Sequence, residues 1–239
     1  MTPISELRKS LQQAGLKIQQ ASADSNIQPR TEESPAQLAS EIDELLGEFD
    51  ALDQEHGERA MIATPDVSAM GEEIIGSLGE LGLLADRLEL EKESHVMDDL
   101  VLEITHWLIR HRAEIRALEP VVNALAIKAN HHRDPKVLTS LFYVLKDVIE
   151  HTAPEISHDL DKFDLDRPWR MLNFNYAIVA TRTQNRALME KAFDTLGRNL
   201  PDDCPQFFAE GLKQSERPEY GAEIREMMAE YFKKWVVRH

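Results

Sequence analysis

The stretch DRPWRMLNFNYAIVATRTQNRALMEKAFDTLGRNLP, Asp166–Pro201, decides the fold class. Trp169, Leu172 and Tyr176 lie three and four residues apart, and Met189, Phe193 and Leu196 repeat that interval after a polar break around Thr183-Gln184-Asn185. Apolar residues at this period place one greasy stripe along each of two helices, and the short break makes the helices antiparallel neighbours. Pro168 suits the first turn of the first helix, and Pro201 stops the second. The stretch therefore predicts a helical hairpin, a unit that stacks on others like it.

The same punctuation recurs on both sides. Asp134-Pro135, Asp166-Arg167-Pro168, Asp203-Cys204-Pro205 and Glu216-Arg217-Pro218 each set an acidic residue at or beside a proline, where the helix dipole favours an anion. Between them the sequence predicts helices over 136–151, 155–163, 168–181, 185–199, 205–214 and 219–237. With 42% hydrophobic residues but only 10 glycines and 11 prolines, and helical spacing almost throughout, the chain reads as all-α, built of antiparallel helices and stacked hairpins in an α-solenoid-like arrangement.

Trp169, Leu172 and Tyr176 match the W-x2-L-x3-Y opening of a tetratricopeptide repeat, with Asn173 at the usual glycine, and Met189, Phe193, Leu196 and Pro201 occupy the second-helix positions. The C-terminal half thus resembles tetratricopeptide-repeat hairpins, with Phe207 and Gly211 beginning a second, more degenerate unit. The resemblance implies a surface that binds another protein and brings no catalytic residues with it. On that expectation Trp169, Asn173, Tyr176 and Arg182 line a partner-binding groove, Asn173 and Arg182 as its polar anchors.

Three sections are expected along the chain: 1–35, 36–93 and 94–239. In the first, Ile4, Leu7, Leu11, Leu16 and Ile18 approach helical spacing, and the Ser, Asn, Gln and Pro-rich run from Ala21 to Pro35 buries too little to order itself. Residues 1–35 therefore read as a mobile amphipathic arm and linker, the alternatives being a docking arm, a local cap or a frayed end. A helix from Ser34-Pro35 to about His56 carries Leu38, Ile42, Leu45, Phe49 and Leu52, with Asp43, Asp50 and Asp53 on its solvated face. A third helix begins near Asp66 and runs to about Glu93. Its Gly71, Gly76, Gly79 and Gly82 each cost about 1 kcal/mol against alanine, so they point to close helix packing or to a helix that bends. The glycine run lacks the Lys-Ser/Thr ending and preceding strand of a phosphate loop. The apolar stretch from Val96 to Ala129 contains Pro120 and divides into two helices near Ala117. The last helix shows Ile224, Met227, Met228, Tyr231, Phe232, Trp235 and Val236, either closing the core or offering an adaptable partner surface.

A net charge of −16 opposes nucleic acid and anionic membranes and favours a partner with a basic or amphipathic segment. One cysteine, Cys204, provides no disulfide framework, and aspartates beside it oppose thiolate formation. No signal-peptide core and no run of ~20 apolar residues stands out, which predicts a cytoplasmic protein.

Two Glu-x-x-His pairs, Glu103/His106 and Glu155/His158, have the spacing of di-metal carboxylate bundles, where each pair puts two ligands on one helix face. A chain this rich in glutamate, with 9 histidines, supplies such spacings by composition alone. His106 and His111 read more simply as core or boundary histidines, and His131-His132 as a helix end. The sequence is thus read as a non-catalytic scaffold, adaptor or chaperone-like factor without a cofactor. A ferritin-like metal oxidoreductase built on the two pairs and a structural helical homodimer are the alternatives.

Overall fold

The computed structural model describes residues 2–25, 27–57, 61–62, 64–217 and 220–237. Among them the chain is all-α: eleven α-helices and a closing π-helical turn, with no strand. No helix of the described residues is long and apolar enough to cross a membrane. The chain divides into two compact units, Met1–Leu125 with His151–Ala153, and Ala126–Glu150 with Pro154–His239.

The first unit contains α1 (Ile4–Ser25), α2 (Pro35–His56), α3 (Pro65–Arg87), α4 (Glu91–Arg110) and the opening turns of α5 (Leu118–His131). Caps set the helix starts. Ser34 accepts from the Gln37 backbone while the Gln37 side chain accepts from Ser34, a complete capping box ahead of Pro35. Thr64 caps α3 by accepting from Val67 N. Helix α3 stops at Arg87, short of the expected Glu93, because the chain reverses through Glu89 at φ 57° and starts α4 on an acidic first turn, Glu91 and Glu93. Since α4 then packs along α3, it belongs with the first unit, and the change of section lies beyond residue 93.

Residues 4–25 are not the mobile arm that their composition suggested. Helix α1 lies antiparallel on α2 and also packs on α4, burying Ile4, Leu7, Leu11, Ala14 and Ile18; Leu16 alone of the expected stripe faces solvent. The reason is size. Gly15 lets α2 approach so closely that a Cβ there would stand 3.4 Å from Ala39 Cβ. Arg8 then makes a two-pronged pair with Asp43, at 2.7 and 2.5 Å, Lys17 reaches Glu93 at 2.6 Å, and Thr2 donates to Glu103. The segment after α1 is tied as well: the Ile27 carbonyl accepts from Ser22 Oγ, and the Gln28 carbonyl from Arg87.

The glycines of α3 divide by what faces them. A Cβ on Gly71 would meet Leu108 of α4 at 2.6 Å, and one on Gly79 would meet the Pro120 ring of α5 at 2.7 Å, whereas Gly76 faces open space. Asp53, expected on the solvated face of α2, is drawn inward. It accepts from Trp107 Nε1 at 3.1 Å and Arg110 at 3.0 Å, and stands 2.9 Å from Nε2 of the fully buried His111. Phe49 stacks on Trp107 at 3.9 Å beneath this cluster.

The second unit holds the rest of α5, then α6 (Pro135–His151), α7 (Pro154–Ser157), α8 (Pro168–Arg182), α9 (Arg186–Asn199), α10 (Cys204–Ser215), α11 (Ala222–Phe232) and the π-helical turn Lys233–Val237. Helices α8 and α9 form the expected hairpin, closed through Gln184 at φ 54° and recapped by Asn185, whose side chain accepts from Ala187 N and Leu188 N. Helices α10 and α11 form a second hairpin, with Phe208 beside Tyr231 and Gly211 beside Met228. Of the four acid-proline starts, those at Pro135, Pro168 and Pro205 open helices, and Pro218 lies outside the described residues. The helix expected over 155–163 shrinks to one turn, because Asp159 adopts φ 51° and the chain leaves as a loop.

Candidate functional site

Helices α6, α8 and α9 and the π-helical turn of the second unit enclose a cleft of about 1080 Å³. Its floor is aromatic. Trp169 and Tyr176, one helical stripe of α8, are 5% and 3% exposed and form part of the wall, and Tyr176 stacks on Phe142 of α6 at 4.6 Å. Trp235 closes one side, lying against Gly197 of α9 where a Cβ would be 2.6 Å from its ring; glycine there is what admits the indole.

The rim is cationic. Lys146, Lys191, Arg198 and Lys234 line it against two carboxylates, Glu150 and Asp194, a local excess of positive charge on a chain of net −16. Lys146 is held by Glu150 at 2.7 Å, and that hydrogen bond raises the ammonium pKa above its ordinary value. Lys234 stands 3.7 Å from Asp194 and 5.7 Å from the Trp235 ring centre. Arg198 donates to Thr195 Oγ1 at 3.0 Å, and Lys191 is exposed. Burial, with Glu150 nearby, pushes the Tyr176 hydroxyl up to about 12, so it stays a neutral donor throughout the physiological range.

The four expected groove residues have different fates. Trp169 and Tyr176 do line the cleft. Asn173, fully buried, lies behind it: its amide nitrogen donates to the Trp169 carbonyl, and its oxygen accepts from Asn199 Nδ2 at 2.8 Å, tying the start of α8 to the end of α9. This polar tie is what the asparagine does between the two helices. Arg182 is elsewhere, donating to the Ala129 and His132 carbonyls at 2.9 and 2.6 Å and so terminating α5. Trp235, read from the sequence only as part of the last helix's apolar face, joins the cleft here, and the cleft's cations escaped the sequence reading because they come from three separated segments with no shared period.

The two Glu-x-x-His pairs belong to different units. Glu103 accepts from Thr2 in the first unit, while Glu155 and His158 are exposed on the second. Among the described residues no three His, Cys, Asp or Glu side chains stand close enough to hold a metal ion. Cys204 is buried at the start of α10, and burial together with Asp203 pushes its thiol up to about 12, which removes it as a nucleophile.

Beside the cleft, between Ser157 and Trp169 of its wall, the chain forms a loop over residues 158–167. A buried ionic lattice holds its base: Arg167 takes Asp159 at 2.5 Å and Asp203 at 2.9 Å, and Arg170 takes Asp203 at 2.7 Å and the Leu165 carbonyl at 2.8 Å. No protein family, curated protein or solved structure matches the chain.

Proposed function

We propose that the chain is a non-catalytic protein-binding module whose second unit holds a segment of a partner in the cleft between α6, α8, α9 and the C-terminal turn. The observation that carries this reading is the lining itself: aromatic walls under an excess of lysine and arginine, on a protein otherwise strongly acidic. Aromatic side chains supply contact area at low entropic cost, and a charged rim sets which sequences enter. An open cleft of this size can take a few residues of polypeptide.

Total charge favoured a basic partner. The local rim favours the opposite, an acidic segment with one or two large apolar side chains, because attraction at contact distance is set by the nearest charges and distant ones are screened beyond about 10 Å. The sequence resemblance of Trp169, Leu172 and Tyr176 to the opening of a tetratricopeptide repeat supports the same class of function.

Peptides of matched length test this, one series alternating Leu and Phe with Asp and Glu, the other with Lys and Arg. Trp169 and Trp235 provide a fluorescence signal. The acidic series should bind, and Lys191→Glu combined with Arg198→Glu should weaken it by at least tenfold. Equal or tighter binding of the basic series would remove the proposal.

A further inference from the structure

The loop over 158–167 is built to be displayed. Leu160, Phe163 and Leu165 are 85%, 99% and 60% exposed, so three large apolar side chains of one short segment stand in water. Loose chain does not explain it. Arg167 fixes the loop's start and end through Asp159 and the Asp164 carbonyl, Arg170 holds the Leu165 carbonyl, and Lys162 reaches Asp202 at 2.8 Å. A segment ordered by so many charged contacts holds its apolar side chains outward at a hydrophobic cost that burial in an interface would recover.

The loop's chemistry also answers the cleft beside it. Asp161, Asp164 and Asp166 flank the apolar residues, and Lys162 beside Phe163 is engaged by Asp202, which leaves an acidic segment with a phenylalanine at its centre. That is the occupant argued for above. We infer that the loop of one copy seats Phe163 in the aromatic cleft of a second copy, with its aspartates against Lys191 and Arg198, and that the second copy returns the contact.

Exchange in both directions follows from position. The loop springs from residues bordering the cleft, Ser157 and Trp169, so donor and acceptor surfaces are neighbours on one face, and a two-fold axis through that face satisfies both at once. A one-way contact would leave a free loop and a free cleft at each end and would grow into chains.

This inference rests on the cleft being a peptide site, and sedimentation equilibrium of the full chain across the micromolar range separates the two. The parent protein should shift from monomer to dimer and stop there. Phe163→Asp and Lys191→Glu, both at exposed positions, should each weaken the dimer at least tenfold while leaving the helical circular dichroism unchanged. An equimolar mixture of the two variants should associate more tightly than either alone, because one intact loop meets one intact cleft. A chain that remains monomeric while the acidic peptides still bind would overturn the dimer and leave the peptide site standing. Dimers unaffected by either substitution would likewise overturn it, placing the interface elsewhere. Loss of acidic-peptide discrimination would sink the function proposal itself.

Discussion

Trp169 keeps its indole NH buried and, among the described residues, without a hydrogen-bond partner, although its ring is one wall of the cleft. A buried donor left unpaired costs about 1–3 kcal/mol, so removing it while keeping most of the ring is a gain that competes with lost contact area. Trp169→Phe should therefore change stability by less than about 1 kcal/mol in urea denaturation, unlike the ~3–5 kcal/mol typical of truncating a buried tryptophan to alanine. Asn173 behaves oppositely. Asn173→Ala removes the acceptor for Asn199 Nδ2 and opens a small void behind Trp169, at an expected cost of about 1–3 kcal/mol by the same measurement.

Helix α3 shows how one residue type does different work along one element. Gly76 faces nothing within contact distance, so Gly76→Ala should stabilise by about 1 kcal/mol through helix propensity alone. Gly79→Ala carries the same propensity gain, yet its methyl would collide with the stiff ring of Pro120 at 2.7 Å, and overpacking of that kind costs about 1–3 kcal/mol. Thermal melts of the two variants should move in opposite directions, and movement together would show that α5 yields to α3. Helix α1 is an element whose attachment depends on pH. The hydrogen bonds from Arg8 to Asp43 and from Lys17 to Glu93 lower both carboxyl pKa values. Their contribution is present above about pH 4 and fades as the pH falls through the lowered values, by less than ~1 kcal/mol for each such surface pair.

For the whole molecule the alkaline limb is steeper. Cys204 and Tyr176 are both pushed up to about 12 by burial, while in the unfolded chain they ionise near 8.5 and 10. Between those values the unfolded state has lost protons that the folded state keeps, so stability must fall as pH rises. Urea midpoints should therefore hold from about pH 7 to 8.5 and decline steadily towards pH 12. A flat profile would mean that these groups reach water without unfolding.

Helical class, most helix starts and the α8–α9 hairpin were legible in the sequence, because capping, proline placement and a 3.6-residue period act over a few neighbouring residues. Trp169 and Tyr176 were legible as wall residues for the same reason, since they share one helical stripe. Arg182 was not, because an arginine's partner carbonyls, here on Ala129 and His132, are distant in sequence. Helix α1 was misread as an arm because its burial depends on Gly15 facing Ala39 and on Arg8 facing Asp43, both matters of register between helices. The basic rim of the cleft was concealed by the net charge, which sums over the chain and ignores place. Composition and periodicity determined that this chain is a set of amphipathic helices; which cations share a surface, and which apolar residues stand in water, was decided only by tertiary packing, because charge and burial act through distance in space.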